Sequence, residues 1–320
     1  MNLGRLKIKN KFLLAPMAIY TDTALRRLCS DYGASFTFTE LISTAGFIRK
    51  TDSFRRRCDF HDENFGVQFI SNSPDELKQS IEIVKNQEFY EGIENIKSID
   101  LNLGCPSKNI MEQNLGSALL NQPNLVRELF KTMNKHSHLP ISVKIRLGID
   151  SKHKRQSKPY LKIAKIAEEE NMDFVTVHAR TSGQGYEGEV DLNAVKEIHD
   201  EVNIPLIGNG NITDVKSCKE MLKISDAVMI GRQAVKDPFI FKQFIEEIDN
   251  KKKWNFDFEK EKRKCIDQYL NYAKEYNVGF QHIKVHMQSF LKGLENHKQT
   301  MIDLTHTKNM DDIYELLKRV

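Results

Sequence analysis

The sequence predicts an α/β protein, a (β/α)8 TIM barrel followed by a small C-terminal helical domain. Three observations predict it. Eight short apolar runs of strand type recur up to residue 230. Charged stretches with apolar residues at helical spacing separate most of them. Beyond about residue 249 the strand runs stop and only helical spacing remains. Strand and helix alternating eight times implies a parallel sheet, and eight such units close into a barrel. A doubly wound open sheet is the structural rival, but its opening Gly-rich turn is missing, and Pro16-Met17-Ala18 stand after the first strand instead.

The expected strands are Phe12–Ala15, Phe36–Thr39, Phe65–Phe69, Ser98–Leu103, Ile141–Ile145, Phe174–His178, Ile204–Gly208 and Ala227–Ile230. Between them, Leu77, Ile81 and Val84 recur at helical steps in Pro74–Lys85. Leu125–Met133 and Tyr160–Glu170 read the same way. From Glu259 onward Cys265, Tyr269, Tyr272, Ala273 and Tyr276 follow three- and four-residue steps, then Ile283, Val285, Met287, Phe290 and Leu291, then Ile313, Leu316 and Leu317. The expected division is a barrel over residues 1–248 and a helical domain over 249–320.

Hydrophobic residues make up 40% of the 320 and charged residues 29%, with 16 Gly and 8 Pro, which excludes a collagen-like or largely disordered chain. No apolar run approaches the roughly 18 residues of a membrane span. The N-terminal residues lack a long apolar stretch, so no secretory signal and no membrane association are expected, and the expected setting is cytoplasmic. The five cysteines, 29, 58, 105, 218 and 265, form no CxxC pair, so neither disulfides nor a metal site is expected. The net charge is only +4, yet basic residues cluster at Arg55-Arg56-Arg57, Lys152 to Lys158, Lys251-Lys252-Lys253 and Lys262-Arg263-Lys264.

Active sites of such barrels lie at the C-terminal ends of the strands. Chemistry-bearing residues stand there in seven of the eight units: Pro16-Met17-Ala18, Gln68, Asn102 to Pro106, Lys144 with Arg146, His178-Ala179-Arg180, Gly208 to Asn211, and Gly231-Arg232. A lysine within an apolar strand is costly to bury unpaired, so Lys144 is expected to meet an anionic partner, with an internal salt bridge as the alternative. Gly208-Asn209-Gly210-Asn211 exposes backbone N–H groups, and Arg232 supplies a donor fork suited to phosphate. Phosphate sites in these barrels are often built from the loops after strands seven and eight, so a phosphorylated cofactor is expected there. Cys105, between Gly and Pro just beyond a strand, is a candidate reactive thiol. Cys29, Cys218 and Cys265 read as packing residues, and Cys58 has no assigned role.

These residues resemble the tRNA-dihydrouridine synthase family over most of the chain. The matching segments are Leu14 to Ala18 with Thr21-Asp22 and Arg26, Gly66-Val67-Gln68, Asp100 to Pro106, Val143 to Gly148, His178 to Thr181 with Gln184, Tyr186 and Gly188, Asn209-Gly210, and Ile230-Gly231-Arg232 with Pro238. His282 to His286 is similar to the family's helical domain. The opening motif leans toward the bacterial B-type branch. Ile19 and Ser117 stand where the family commonly has Gly, and Asn211 where Asp is usual.

The resemblance implies a flavoprotein that reduces specific uridines of tRNA to 5,6-dihydrouridine. FMN would be the cofactor and NADPH or NADH the reductant, with hydride passing from flavin N5 to uracil C6. Cys105 would donate the proton to C5. Pro16, Met17, Ala18, Gln68, Lys144, His178, Asn209, Gly210, Asn211, Gly231 and Arg232 would bind the cofactor. Asn102, Arg180, Gln184 and Tyr186 would bind the substrate. The helical domain, with Lys262, Arg263, Lys264, Lys284 and His286, would help to hold the tRNA. The expected assembly state is a monomer. The alternative function is an FMN barrel acting on a free pyrimidine, as dihydroorotate and dihydropyrimidine dehydrogenases do.

Overall fold

The computed structural model describes every residue except 52, 53, 55–57, 296, 319 and 320. The Arg55-Arg56-Arg57 cluster lies outside the described residues. A hairpin of β1 (Asn2–Leu3) and β2 (Leu6–Lys7) opens the chain. The barrel strands follow: β3 (Phe12–Leu14), β4 (Thr37–Ser43), β5 (Phe65–Ile70), β6 (Ile96–Leu103), β7 (Ile141–Arg146), β8 (Phe174–His178), β9 (Leu206–Asn209) and β10 (Ala227–Ile230). All their ladders are parallel, in the order β3-β10-β9-β8-β7-β6-β5-β4. A parallel bridge from Leu13 to Phe36 closes the ring.

Each strand is followed by a helix: α1 (Thr23–Asp31), α2 (Thr44–Ile48), α3 (Pro74–Asn86), α4 (Pro123–His136), α5 (Pro159–Glu169), α6 (Leu192–Glu201), α7 (Val215–Met221) and α8 (Arg232–Lys236). Polar side chains fix many helix starts. Asp22, Ser73, Asp191 and Asp214 each accept a backbone N–H of the first turn, which satisfies a donor that the helix itself cannot. Beyond a short helical stretch at Ile240–Phe244, the C-terminal segment holds α9 (Phe258–Glu275), α10 (Phe280–Phe290), α11 (His297–His306) and α12 (Met310–Leu317).

Successive side chains of a strand face opposite ways, and the barrel uses this throughout. Ile99, Leu101, Val143, Ile145, Val175 and Val177 point outward into the layer beneath the helices. Leu13, Phe36, Phe38, Phe174, Ile207, Ala227 and Met229 share an apolar interior with Leu3, Leu6 and Ile8, which close its lower end. The hairpin is held there by Arg5, whose guanidinium donates to Asp173 at 2.8 Å. Only the upper end, where the strands terminate, remains open for polar groups.

The C-terminal helices are joined to the barrel by buried charge. Lys262 on α9 has no exposed side-chain surface and pairs with Asp237, just past α8; it also donates to the Lys236 carbonyl at 2.6 Å. Burial pushes its ammonium pKa down, against the pull of Asp237. His286 on α10 is equally buried, with Nε2 3.0 Å from Asp22 Oδ2. Tyr269 on α9 donates to the same oxygen at 3.0 Å. Burial alone would raise Asp22, but His286 and the hydrogen bonds from Leu25 and Tyr269 bring it below the usual carboxylate range. The expectation that Lys262 and His286 contact RNA is therefore corrected: both are internal. Arg263 and Lys264 stay exposed and pair with Glu259 and Glu261 on their own helix, and Lys264 also lies 5.6 Å from the centroid of the Tyr32 ring.

Removing one partner of a buried pair strands the other charge. Lys262→Ala should therefore lower the unfolding free energy by about 3–5 kcal/mol. Arg263→Ala should stay within about 0.5 kcal/mol of wild type. Urea denaturation of both variants checks the contrast.

Candidate functional site

A cavity of about 460 Å3 opens at the C-terminal ends of the strands. Its walls contain Cys105, Pro16, Met17, Ala18, Gln68, Lys144, His178, Asn209, Gly210, Asn211, Gly231 and Arg232, together with Asn102, Arg180 and Tyr186. Of the residues expected at a site, only Gln184 falls outside these walls. Its side chain accepts from the Thr181 N–H at 2.9 Å and shapes the loop that carries Tyr186.

Strand register explains the convergence. Asp100 pairs with Ser142 and Asn102 with Lys144 across β6 and β7; Arg146 pairs with His178, and His178 with Asn209, across β7, β8 and β9. Inward-facing positions at the upper ends of β6 to β9 are thus polar. Ser142 Oγ and Gln68 Nε2 donate to Asp100, the latter at 2.8 Å. Asn102 Nδ2 donates to Gln68 Oε1 at 2.8 Å. Asn102 Oδ1 in turn accepts the N–H groups of Gly104 and Cys105, at 3.1 and 2.9 Å. Ser117 donates its hydroxyl to the Cys105 carbonyl at 2.7 Å. The thiol-bearing turn is therefore fixed from both sides, and Cys105 is partly exposed while the other four cysteines are buried.

Lys144 Nζ donates to Asn209 Oδ1 at 3.2 Å. Burial, reinforced by Arg146, brings its pKa down to about 8, against the pull of Asp100 and Cys105. Burial pushes Asp100 up to about 6, although Ser142, Gln68 and Lys144 favour its charged form. His178 is driven well below the ordinary histidine range by burial and then by Lys144, Arg146, Arg180 and Arg232. It is neutral at pH 7, with one ring nitrogen to donate and one to accept.

Arg146 ties two loops together, donating to the carbonyls of Gly104, Thr181 and Gly185 at 2.8–3.0 Å. Arg180, 1% exposed, donates to Glu187 and Gly188, and its buried Nη1 has no protein acceptor among the described residues. Tyr186, 54% exposed, lies under the Arg232 guanidinium at 4.7 Å from its ring centroid, a cation–π contact. Gly231 caps α8 without a side-chain bond, which leaves its first amides open to a ligand.

Lys144, Arg146, Arg180, Arg232, Lys236 and Lys292 line this cavity, and no Asp or Glu does among the described residues. Such a wall favours an anionic ligand. Asp100, Arg146, Ser117 and Lys292 are the participants that sequence reasoning left without a role. Asp100 had a visible signal, an acid at an inward position of an apolar strand, two residues from Asn102. Ile19 holds φ +74°, the left-handed region where the family's Gly would be less strained than a β-branched side chain, and Asn211 holds φ +51°, which Asn and Asp both tolerate.

Fold and cavity define a (β/α)8-barrel protein with a cationic mouth. The family model "Dihydrouridine synthase (Dus)" matches residues 13–319. The chain is 36% identical over 246 residues to tRNA-dihydrouridine synthase B of Pasteurella multocida (strain Pm70), across 76% of this chain and 71% of that protein. It is 32% identical over 253 residues to tRNA-dihydrouridine synthase B of Pectobacterium carotovorum, across 78% and 75%. Among solved structures, histamine dehydrogenase from Rhizobium sp. 4-9 superposes with a TM-score of 0.56 at 14% identity, over 85% of this chain and 50% of that one, and shares the fold. The chain belongs to the dihydrouridine synthase family and, within it, to the B-type branch.

Gly210 tests the geometry of the rim. It holds φ +125°, and an added Cβ would come within 2.9 Å of Val190 Cγ1 and 3.0 Å of His178 Cδ2. Gly210→Ala should cost about 1–3 kcal/mol of stability in chemical denaturation.

Proposed function

We propose that the protein is an FMN-dependent tRNA-dihydrouridine synthase that reduces specific uridines with NADPH or NADH. The observation that carries this reading is the cavity wall itself, which among the described residues has six cationic side chains, no carboxylate and one thiol, Cys105. Membership of the dihydrouridine synthase family supports it. The donor set fits FMN, because the Arg232 guanidinium, the open amides at the start of α8 and the Gly210-Asn211 turn together suit a single phosphate.

FMN held there would supply hydride chemistry, taking hydride from NADPH or NADH and delivering it to uracil C6. Lys144 places its ammonium where negative charge in the cofactor ring must be balanced. Gln68 and neutral His178, which line the cavity, would hydrogen-bond the cofactor ring, and Pro16, Met17 and Ala18 would hold it. Uracil is a weak electrophile, so charge that develops on the base must be quenched by a positioned acid. Cys105 Sγ–H gives that proton to C5. Asn102 and Ser117 hold the Cys105 backbone so that the thiol keeps its place. Arg180 and Tyr186 meet the base or its ribose, and Gln184 acts on them through their loop. The target base must leave the RNA stack to enter the cavity. The helices of residues 249–320 supply the second surface that a tRNA needs. A chain that reduced free uridine as fast as tRNA would support the free-pyrimidine alternative instead.

Cys105→Ala should retain FMN and oxidise NADPH in the half-reaction, while tRNA reduction falls roughly 10²–10⁴-fold. Stopped-flow flavin bleaching and dihydrouridine mapping in tRNA separate the two steps. Parallel loss of both would make Cys105 structural.

The Lys144 charge gives a pH signature. An anion beside it favours the ammonium form, so FMN affinity should fall as pH rises through about 8. Asp100 also favours the ammonium, so Asp100→Asn should move that fall to lower pH. Fluorescence titration of the apoprotein with FMN from pH 6 to 9.5 measures the midpoint.

A further inference from the structure

Two residues of the cavity wall, Ser289 and Lys292, come from outside the barrel. Ser289 belongs to the last turn of α10, and Lys292 follows in the turn that ends it. Helix α10 packs against α8, the helix that carries Arg232 and Lys236. Its place is fixed one turn before Ser289 by buried His286, anchored on Asp22. Lys292 is exposed and makes no ion pair among the described residues. The other basic side chains of the wall are built into the barrel or its loops. Among the described residues, Lys292 is the cation that the C-terminal helices bring to the cavity.

We propose that Lys292, with Ser289 beside it, binds a phosphodiester of the RNA chain next to the nucleotide being reduced. This rests on the tRNA reading above and assigns the contact that makes the substrate a polymer. A base that enters the cavity while still joined to its strand leaves a phosphodiester on each side, and both must lie at the mouth. A mobile, solvated ammonium at that edge suits a backbone phosphate, which demands charge but no fixed geometry. Cations deeper in the barrel serve the cofactor's end. A free pyrimidine would bring nothing for Lys292 to hold.

The test uses the full-length, flavin-loaded protein and unmodified tRNA transcript. Lys292→Gln should raise KM for tRNA roughly three- to tenfold with kcat largely retained, and Lys292→Glu should raise it further. The slope of log affinity against log salt should become shallower by about one, the loss of a single phosphate contact. Lys292→Arg should restore both values. FMN content and the rate of flavin reduction by NADPH should match wild type, and Lys97→Gln, an exposed lysine on the opposite end of β6, serves as the control. An unchanged KM and salt slope in an otherwise active enzyme would overturn the assignment. So would a loss of FMN or a weakened response to NADPH, since Lys292 would then serve the cofactor or the reductant. If wild-type protein neither bound nor reduced tRNA, the function itself would fall, a result visible before any variant is made.

Discussion

Lys144 carries a charge inside a barrel whose lower half is apolar and sealed, and the polar architecture above follows from that burial. Asn209 accepts from the ammonium, and Asp100 favours its charged form. Asp100 is itself buried and needs donors, which Ser142 and Gln68 provide. Gln68 then has a carbonyl to satisfy, and Asn102 donates to it. The remaining oxygen of Asn102 fixes the backbone of Cys105. A buried polar group is tolerable only when paired, so the requirement passes from one residue to the next until it reaches the thiol. The charged floor and the reactive rim are parts of one hydrogen-bonded network.

The same wall leaves several positive charges close together. His178, Arg146 and Arg180 are all shifted toward their neutral forms, by burial first and then by cationic neighbours. In a folded chain with no ligand this is a cost, and an anion that binds only the folded state repays it by mass action. Pre-arranged repulsion of this kind also explains why aromatic Tyr186 sits among the guanidinium groups: its ring face attracts cations without neutralising them.

The barrel was readable because parallel strands covered on both faces appear as short, nearly continuous apolar runs. The run Phe174–His178 and the run Ala227–Ile230 match β8 and β10 residue for residue. The rim residues stood out as polar or small groups at the ends of such runs. The opening hairpin did not, because two-residue strands carry no periodicity. Lys262 and His286 were misread for a different reason. Their types suggest a solvated basic face, and only the tertiary partners Asp237 and Asp22, 25 and 264 positions away, reveal that they are internal. Gln184 lies in the expected loop, but the loop folds its amide back on Thr181. Local spacing places a residue on an element; it does not say which of two faces of a loop it serves.

The pairing of Lys262 with Asp237 bears on how this architecture can be rearranged. Asp237 directly follows α8, so the segment that presents Arg232 to the cavity is gripped at its far end by the C-terminal helices. The barrel and the helical segment of this chain are therefore coupled through that pair. A chimaera that brought in a foreign tail without a lysine matching position 262 would leave Asp237 buried alone, and the disturbance would reach the Arg232 end of the cavity. A working exchange of the tail would have to keep a lysine matched to Asp237, so the seam between barrel and helices behaves as one unit.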